Sequence, residues 1–292
     1  MSKRQPQTHH PDPGGRVNRT PADLTPWAGD ATERGTDPET VGEAILDAFE
    51  EAILAHPRSA QKEIGPSEIG HPCSRWLAYR LADVAPTGLE KPPWRQAVGT
   101  AVHSASEDWL QGWNANHGQR YLTDILVEVG ELYPGRPITG HLDILDVPTA
   151  TIIDLKVPGP SAMKSNRAGT PESPQYRIQT HLYGRGACRA GYPVDTVAVL
   201  RVPSAGELAD AVFKHEPYDE TIAVNALERA GAIAQLVNAA GPAAAAALPT
   251  TDHYCHRCTW FSPGSTDLTR GCPGDSGRIA MTRPDPLNQL IA

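Results

Sequence analysis

The 292-residue sequence lacks any long hydrophobic run. No stretch approaches about 18 consecutive apolar residues, the length that a membrane-spanning helix needs. The first 34 residues contain no apolar core of the kind found in secretory signal peptides. We therefore expect a protein that neither crosses a membrane nor is secreted, and that works in the cytoplasm.

The sequence also lacks an excess of positive charge. Its 26 Lys and Arg residues face 34 Asp and Glu residues, which gives a formal net charge of −8. This balance excludes a protein that coats nucleic acid through bulk charge, so any nucleic-acid site has to be a local patch. The phosphate-binding pattern Gly-x4-Gly-Lys-Ser/Thr is absent as well, so the sequence shows no ATPase site of its own.

Cysteines are few, and their number is odd. Five cysteines without a signal peptide argue against a disulfide framework. Cys255, Cys258 and Cys272 crowd near the C-terminus, so ligation of a metal or a cluster is the better expectation for them. Cys73 and Cys188 lie far upstream, and we expect Cys188 to be a small buried packing residue.

Composition suggests four parts of the chain. The first 37 residues are rich in Pro and Gly and show no periodicity, which predicts a disordered tail. Residues 38–240 are expected to form the main domain, with its core at about 94–203. A linker and a cysteine-rich segment, 241–276, would complete that domain together with Cys73, and 277–292 would be a flexible tail.

Hydrophobic periodicity predicts an α/β fold. Helices are expected from 38 to about 56, after Ser67 to about Leu81, at 94–116, at 171–189 and at 220–239. Strands are expected at 125–129, 138–145, 151–157, 194–202 and 210–215. The middle of the chain therefore follows the order α-β-β-β-α-β, and a sheet with helices on both faces buries these elements economically.

The predicted strand Thr151–Val157 carries the most suggestive polar residues. Side chains alternate along a strand, so Asp154 and Lys156 point to the same face. Asp143 lies on the preceding strand, and if the two strands are neighbours, both carboxylates can converge on one hard cation such as Mg²⁺ or Mn²⁺. The alternative is a simple Asp–Lys ion pair at a sheet edge.

Four short patterns occur in order along the chain. They read Gly99-x3-His103, Gly140-x2-Asp143, Asp154-x-Lys156 and Gln179-x3-Tyr183. In this order and spacing they resemble the RecB-like nucleases of the PD-(D/E)XK superfamily, whose core is an αβββαβ mixed sheet flanked by helices. The resemblance covers roughly residues 64–275.

The resemblance implies a role for each of these polar residues. His103, Asp143, Asp154 and the Leu155 carbonyl would hold Mg²⁺ or Mn²⁺, with Asp143 and Asp154 also counted as catalytic. Lys156 would orient the attacking water or stabilise the developing negative charge. Gln179 and Tyr183 would hold the DNA strand near the metal.

The cysteines resemble one branch of that superfamily. Ser67-x5-Cys73-x-Arg75, followed by Cys255, Cys258 and Cys272, is similar to the iron–sulfur exonucleases of the CRISPR-associated Cas-four type and to the AddB nuclease domain. The resemblance implies that the four cysteines bind a [4Fe–4S] cluster and that Arg75 contacts DNA. The thirteen residues between Cys258 and Cys272 exceed the family's short gap. Zn²⁺ bound with help from His253 or His256 is therefore the alternative.

The expected activity is that of a metal-dependent DNA exonuclease. It would act on single strands or DNA ends in recombination, repair or phage DNA metabolism, in the cytoplasm of a bacterium or of a phage-infected host. Between 156 and 189 six basic residues face one acid, which suggests a basic ridge for DNA. The alternatives are a non-catalytic module that binds DNA ends or junctions, and a structure-selective endonuclease on the same core. A helicase or recombination partner stays open.

Overall fold

The computed structural model describes residues 41–55, 63–87, 94–251, 255 and 258–274. The two expected tails, together with His253 and His256, lie outside the described residues. Across these ranges no helix combines the length and the apolar character that crossing a membrane requires. The chain divides into two compact units, Met1–Ala52 and Ile53–Ala292.

The first unit is described through one helix. Helix α1 spans Val41–Leu54 and has Glu43 in its first turn, where a carboxylate interacts favourably with the helix dipole. Its bounds agree with the apolar spacing of the sequence. All later elements belong to the second unit.

The single helix expected between Ser67 and Leu81 is wrong, because the chain forms two short helices there. Helix α2 spans Pro66–Ile69 and helix α3 spans Ser74–Leu81. Pro72 separates them, since proline has no N–H to donate and disfavours helical geometry in the residue before it. Cys73 instead caps α3, and its Sγ accepts a hydrogen bond from Trp76 N at 3.4 Å.

One long helix and three strands follow as expected. Helix α4 spans Trp94–His117, and the strands are β1 (Tyr121–Tyr133), β2 (Arg136–Asp146) and β3 (Thr151–Lys156). Strand β1 is longer than its apolar alternation indicated. A single 3-10 turn, Val147–Thr149, joins β2 to β3.

The segment after β3 contains a helix that periodicity did not predict. Helix α5 spans Pro160–Arg167, with proline at its first position and only Met163 buried. Helix α6 spans Pro174–Arg189 and so begins three residues later than expected, again with proline at its first position. Because α5 is short and buries a single apolar residue, its sequence shows no repeated apolar positions.

The last elements are β4 (Thr196–Arg201), β5 (Val212–Pro217) and α7 (Glu220–Ala240), with a 3-10 turn at Leu208–Asp210. The expected linker after α7 is wrong in its first half. Residues Gly241–Ala247 form a 3-10 helix whose Ala244 and Ala245 are buried. The run of alanines therefore packs as part of the fold.

The strands form one mixed sheet in the order β1-β2-β3-β4-β5. Only β3 and β4 pair in parallel, and the other neighbours are antiparallel. Helix α6 connects the parallel pair, as a crossover connection requires. The α/β prediction, with the order α-β-β-β-α-β and helices flanking a mixed sheet, is confirmed.

The main core lies between the sheet and the helices α2, α3, α6 and α7. It includes Leu142, Leu145, Ile152, Leu182 and Val197, which are all almost completely buried. Gly140 lets two elements approach β2 closely. A Cβ atom at this position would lie 2.8 Å from Pro66 Cδ and Cγ, and 3.1 Å from Tyr183 Cε1.

We predict opposite effects for alanine at the two motif glycines. Gly140→Ala should lower the free energy of unfolding by about 1–3 kcal/mol, because the added methyl group meets Pro66 and Tyr183. Gly99→Ala should raise it by up to about 1 kcal/mol, because Gly99 is in helix α4 with no atom within 4 Å of the added Cβ. Chemical denaturation of both variants checks this, and an unchanged midpoint for Gly140→Ala would contradict it.

Candidate active site and cysteine pocket

Strands β2 and β3 separate at the point where the two candidate carboxylates lie. Their ladder runs from Asp146–Thr151 to Ile144–Ile153, and one more step would place Asp143 opposite Asp154. Beyond the ladder the Leu155 N–H donates to Asp143 Oδ2 at 2.7 Å. A side chain of β2 thus replaces the backbone acceptor, and both carboxylates lie at the fork between the strands.

Asp154 is the most deeply buried of the candidate residues. Its side chain is 1% exposed, and neither carboxylate oxygen has a hydrogen-bond partner. Lys156 Nζ lies 2.7 Å from Oδ2, so the two groups form an ion pair whose angles do not satisfy a hydrogen bond. Burial raises the pKa of the Asp154 carboxyl, and the nearby Lys156 charge only partly opposes this effect.

Besides its ion pair with Asp154, the Lys156 ammonium group contacts two further side chains. Its Nζ donates to Gln179 Oε1 at 3.2 Å and lies 4.9 Å from the centre of the Tyr176 ring. Burial alone would lower the pKa of Lys156, but the charges of Asp154 and Asp143 outweigh it and the net pKa is raised. Because β3 is the central strand of the sheet, this is not the edge ion pair considered from the sequence.

His103 brings helix α4 to the same place. Its Nδ1 lies 3.2 Å from Asp143 Oδ1, and both side chains are partly exposed. Burial works to lower the pKa of His103, whereas the hydrogen bond to Asp143 and its charge raise it, with a net increase. Three of the four sequence patterns therefore place their polar side chains together where β2 and β3 separate, namely His103, Asp143, Asp154 and Lys156.

Within the described ranges, no group of three or more His, Cys, Asp or Glu side chains already has the spacing of a metal centre. The donor set nevertheless suits a hard cation. Among the described residues, Asp154 Oδ1 has no hydrogen-bond partner and Oδ2 has the Lys156 ammonium at 2.7 Å, so the buried carboxylate has room for a further cation. Asp143 lies beside them, and carboxylate oxygens are the ligands that Mg²⁺ and Mn²⁺ prefer.

Gln179 and Tyr183 are both buried on helix α6. Gln179 is 5% exposed and binds Lys156, while Tyr183 is 7% exposed and belongs to the main core. In the structure Gln179 therefore acts on the site through Lys156, and Tyr183 packs beneath Gly140. Their part in holding DNA stays a prediction.

Sequence reasoning missed a second cation beside Lys156. Arg201 pairs with Lys156 in the register of the parallel strands β3 and β4 and is 3% exposed. Its guanidinium lies 5.8 Å from the centre of the Tyr176 ring and forms an ion pair with Glu172. A basic residue at the end of an apolar strand was the available signal.

The basic ridge expected from the charge of residues 156–189 is wrong. Most of its basic side chains form ion pairs with acids from distant parts of the chain, namely Arg167 with Asp210, Arg177 with Glu216, Arg185 with Glu220 and Arg189 with Glu128. Exposed pairs of this kind contribute little stability, but they neutralise the local charge. The balance counted along the sequence overlooked these partners.

The four candidate cluster cysteines line one pocket. Cys73 comes from the N-cap of α3, and Cys255, Cys258 and Cys272 come from the segment after α7. The pocket has a volume of about 20 Å³, and Trp76 and Tyr79 are among its walls. Chain segments about 180 positions apart in sequence thus contribute sulfur atoms to the same small space.

Hydrogen-bond donors surround these sulfur atoms. Cys272 Sγ accepts from Arg75 Nη1 and from Gly274 N, each at 3.3 Å. Burial, together with the charges of the other three cysteines, raises the pKa of the Cys258 thiol to about 11, although a backbone hydrogen bond at Trp260 opposes this effect. A bound cation and nearby N–H donors both favour the thiolate form. By their chemistry four sulfur ligands suit either an iron–sulfur cluster or zinc, although within the described residues they do not already have the spacing of a metal centre.

The long gap between Cys258 and Cys272 has a structural explanation. Cys272 N donates to Trp260 O at 2.7 Å, and Ser262 N donates to Cys272 O at 2.8 Å. Tyr79 Oη also donates to Leu268 O at 2.7 Å, which attaches the intervening residues to α3. These bonds return Cys272 to the neighbourhood of Cys258 despite the thirteen residues between them.

Arg75 directs all its described hydrogen bonds into the protein. Besides Cys272 Sγ, its Nε donates to Ala245 O at 2.9 Å and its Nη2 donates to Leu248 O at 3.0 Å. The structure thus gives Arg75 a role in joining α3 to the cysteine segment, which differs from the DNA contact that the resemblance implied. Cys188 is exposed, so its expected burial is wrong.

Neither a protein-family model nor a curated protein matches the chain. Among solved structures it is similar to an alkaline exonuclease (LHK-Exo) from Laribacter hongkongensis, with a TM-score of 0.44 and 12% identity over 65% of this chain and 93% of that chain. It is also similar to SSO0001, with a TM-score of 0.44 and 19% identity over 75% and 94%. A phage-related exonuclease from Haemophilus somnus 129PT has a TM-score of 0.35 and 13% identity over 56% and 77%. A function for this chain therefore has to come from the chemistry of its own side chains.

We predict that Arg75→Met destabilises the protein. The substitution keeps the aliphatic stem but removes the donors to two carbonyls and one sulfur, so the free energy of unfolding should fall by about 2–4 kcal/mol. Arg270→Met is the matched control, because Arg270 is exposed on the same segment and should change stability by less than about 0.5 kcal/mol. Urea unfolding measures both, and equal losses would contradict the role assigned to Arg75.

Proposed function

We propose that this chain is a metal-dependent DNA exonuclease that hydrolyses phosphodiester bonds in single strands or at DNA ends. The observation that carries the proposal is the fork between β2 and β3. There a buried carboxylate without hydrogen-bond partners, a second carboxylate, an amine and an imidazole meet. Recombination, repair and phage DNA metabolism are the processes in which such an activity would be used.

Each residue at the fork has a definite task in this proposal. Asp143, Asp154, His103 and the Leu155 carbonyl would hold Mg²⁺ or Mn²⁺. The ion, when bound, lowers the pKa of a water molecule and polarises the phosphate. Lys156 orients that water or stabilises the charge that develops on the phosphate.

Two further residues prepare Lys156 for this task. Gln179 accepts a hydrogen bond from its Nζ, and the Tyr176 ring lies beside the ammonium group. A cation held by Asp154 would share that carboxylate with the Lys156 ammonium. Gln179 fixes the position from which the amine would contact an incoming phosphate.

We also propose that Cys73, Cys255, Cys258 and Cys272 bind a [4Fe–4S] cluster. The convergence of four sulfur atoms, and the hydrogen bonds donated to Cys272 Sγ, support it. A group held by all four would close a loop of 182 positions between Cys73 and Cys255. Its binding would therefore be coupled to folding.

We predict that Lys156→Met and Asp154→Asn both reduce DNA cleavage by at least about 100-fold. A labelled linear single strand should be shortened by the wild-type protein only with Mg²⁺ or Mn²⁺, whereas circular single-stranded DNA should stay intact. Only Asp154→Asn should also weaken Mn²⁺ binding in calorimetry, because Lys156 is not a ligand. Lys164→Met, at an exposed lysine of α5, is the matched control and should cleave normally.

The stability of these variants has to be measured alongside their activity. Lys156→Met leaves Asp154 as a buried charge without its neutralising partner, which costs about 3–5 kcal/mol when no cation is present. Assays should therefore run well below the unfolding midpoint of the variant and with Mn²⁺ present. Normal turnover in Lys156→Met would exclude the proposed role of the amine, and cleavage of the circular strand would replace an exonuclease with an endonuclease.

We predict that Cys73→Ser removes the bound iron. Without the fourth ligand the brown absorption should be lost, and limited proteolysis should cut the chain ends more readily. Cys188→Ser, at an exposed thiol away from the pocket, should keep full iron content. Iron and zinc analysis of both variants, purified without oxygen, is the measurement. Full metal content in Cys73→Ser, or zinc in place of iron in the wild-type protein, would overturn the cluster.

A further inference from the structure

Helix α4 leaves large aromatic side chains in water. None of its 24 residues is buried, and the structure describes all of them. Trp109 is 67% exposed and Trp113 is 37% exposed. An exposed tryptophan forgoes the free energy that burial of its ring would provide, so neighbouring exposed tryptophans indicate an interaction surface.

Three rings follow one side of this helix. Trp109, Trp113 and His117 occur at every fourth position, which brings each ring next to the following one. We call these three residues the aromatic face of α4. The rings of Trp113 and His117 are stacked, with their centroids 4.4 Å apart and their planes 13° apart. The Tyr121 ring, at the start of β1, meets Trp113 edge to face at 5.3 Å, so Trp113 is supported on two sides.

The end of the aromatic face is fixed to the sheet. Asn114 Nδ2 donates to Tyr121 O at 2.7 Å, and Asn114 Oδ1 accepts from Arg120 N and Tyr121 N, each at 3.1 Å. His117 Nδ1 also lies 2.9 Å from Trp113 O. Rings that are already held in place lose little conformational freedom when a ligand stacks on them, which favours binding.

The composition of the face favours a nucleic-acid base over a protein partner. Between 101 and 117 the structure describes every residue, and it exposes no Val, Leu, Ile or Met there. The exposed neighbours of the tryptophans include the amides of Gln111 and Asn116. Aromatic rings among polar groups suit unpaired bases, which stack on any flat ring. The centre of a protein interface is instead a contiguous apolar area.

The same helix supplies His103 to the fork. At 1.5 Å per residue, Trp109 follows His103 by about 9 Å along the helix axis, and His117 follows it by about 21 Å. An unpaired strand of a few nucleotides is long enough to span these distances. The aromatic face is therefore continuous with the site at which the strand would be cut.

Charge contributes little to this surface. Asp108 is exposed next to Trp109, and Arg120 Nε forms an ion pair with Asp146 Oδ1 at 2.7 Å. The Arg120 guanidinium also lies 5.2 Å from the centre of the Tyr121 ring. A surface that neutralises few phosphates releases few counterions, so a strand bound here should depend only weakly on salt.

We propose that the aromatic face of α4 binds an unpaired DNA strand by stacking on its bases and holds that strand beside the fork. The inference rests on the proposed function and deepens it, because it names the surface that recognises the strand away from the reacting phosphate. Paired bases already stack on one another, so a blunt duplex does not use this face.

Fluorescence anisotropy of the full-length protein, without divalent metal, tests the proposal. The probes are a labelled oligothymidylate and a strand of equal length that has no bases. The strand without bases should bind at least about tenfold more weakly, because it keeps the phosphates and loses the stacking. Only the oligothymidylate should quench tryptophan fluorescence, and its salt dependence should correspond to no more than about two phosphates.

A set of exposed-tryptophan variants locates the binding surface. Trp109→Ala should weaken oligothymidylate binding at least about tenfold, and Trp109→Tyr should recover part of the loss because it restores a ring. Trp94→Ala is the matched control, since it removes a tryptophan that is 60% exposed at the opposite end of the same helix, and it should bind normally. Neither alanine variant should change the binding of a blunt duplex.

The results separate this inference from the proposed function. Equal strand binding by Trp109→Ala and Trp94→Ala would overturn the aromatic face and leave the nuclease. Strand binding that Trp109→Ala removes, in a protein that cleaves no DNA with Mg²⁺ or Mn²⁺, would support the face and overturn the nuclease.

Two further outcomes would overturn the proposal. Equal affinity for the strands with and without bases would exclude stacking, and this comparison uses the wild-type protein, so it does not depend on the folding of any variant. Sedimentation equilibrium covers the other occupant of the face. A wild-type oligomer that Trp109→Ala dissociates would identify the face as a contact between copies of this chain.

Discussion

The structure depends on one expensive interaction, the burial of the Asp154 carboxylate next to Lys156 in the central strand of the sheet. A buried ion pair rarely repays the cost of removing both charges from water, so apolar residues would make a more stable strand. The surrounding groups make sense as support for this pair. Gln179 fixes the amine, and the side chain of Asp143 completes the hydrogen bonding of β3 where the ladder stops. The strand is thus less stable here than an apolar pair would make it, at the position where the proposed metal ion would bind.

The cysteine pocket, in contrast to the buried ion pair, holds distant parts of the chain together. Its residues come from both ends of the described second unit, and a bound group would join these ends around the sheet. Arg75 already makes that connection without any ligand, through two carbonyls and one sulfur. The pocket and the fork share no side chain, and the buried cluster beside the pocket is separate from the main core, with Trp76 packed against both. A loss of the bound group would therefore first affect how α3 is attached, and the geometry of the fork only through that attachment.

Local pattern was sufficient to predict the fold and the proximity of Asp143 to Asp154 and Lys156, because these depend on short-range rules. His103 was assigned to the site only through the resemblance. Alternation placed Asp154 and Lys156 on one face, and the short connection from β2 to β3 made Asp143 their neighbour. Helix α5 was missed since Met163 alone is buried there, and the break at Pro72 was overlooked although the proline itself indicated it. The roles of Arg75 and Arg201 could not be predicted, because their partners are far away in sequence or on another strand.

The way in which Cys272 returns to Cys258 has a consequence for how such pockets vary among proteins. Backbone hydrogen bonds at both ends of the excursion bring the two cysteines together, so their proximity does not depend on how many residues lie between them, although Tyr79 attaches Leu268 within it. Lengthening a loop of this size twofold costs only about 0.6 kcal/mol of closure entropy. The number of residues between two cysteines is then a poor guide to whether they line this kind of pocket. A search for chains with such a pocket should therefore combine an early Cys-x-Arg, here Cys73-x-Arg75, with a late Cys-Pro, here Cys272-Pro273. A fixed number of residues between the cysteines is a weaker criterion.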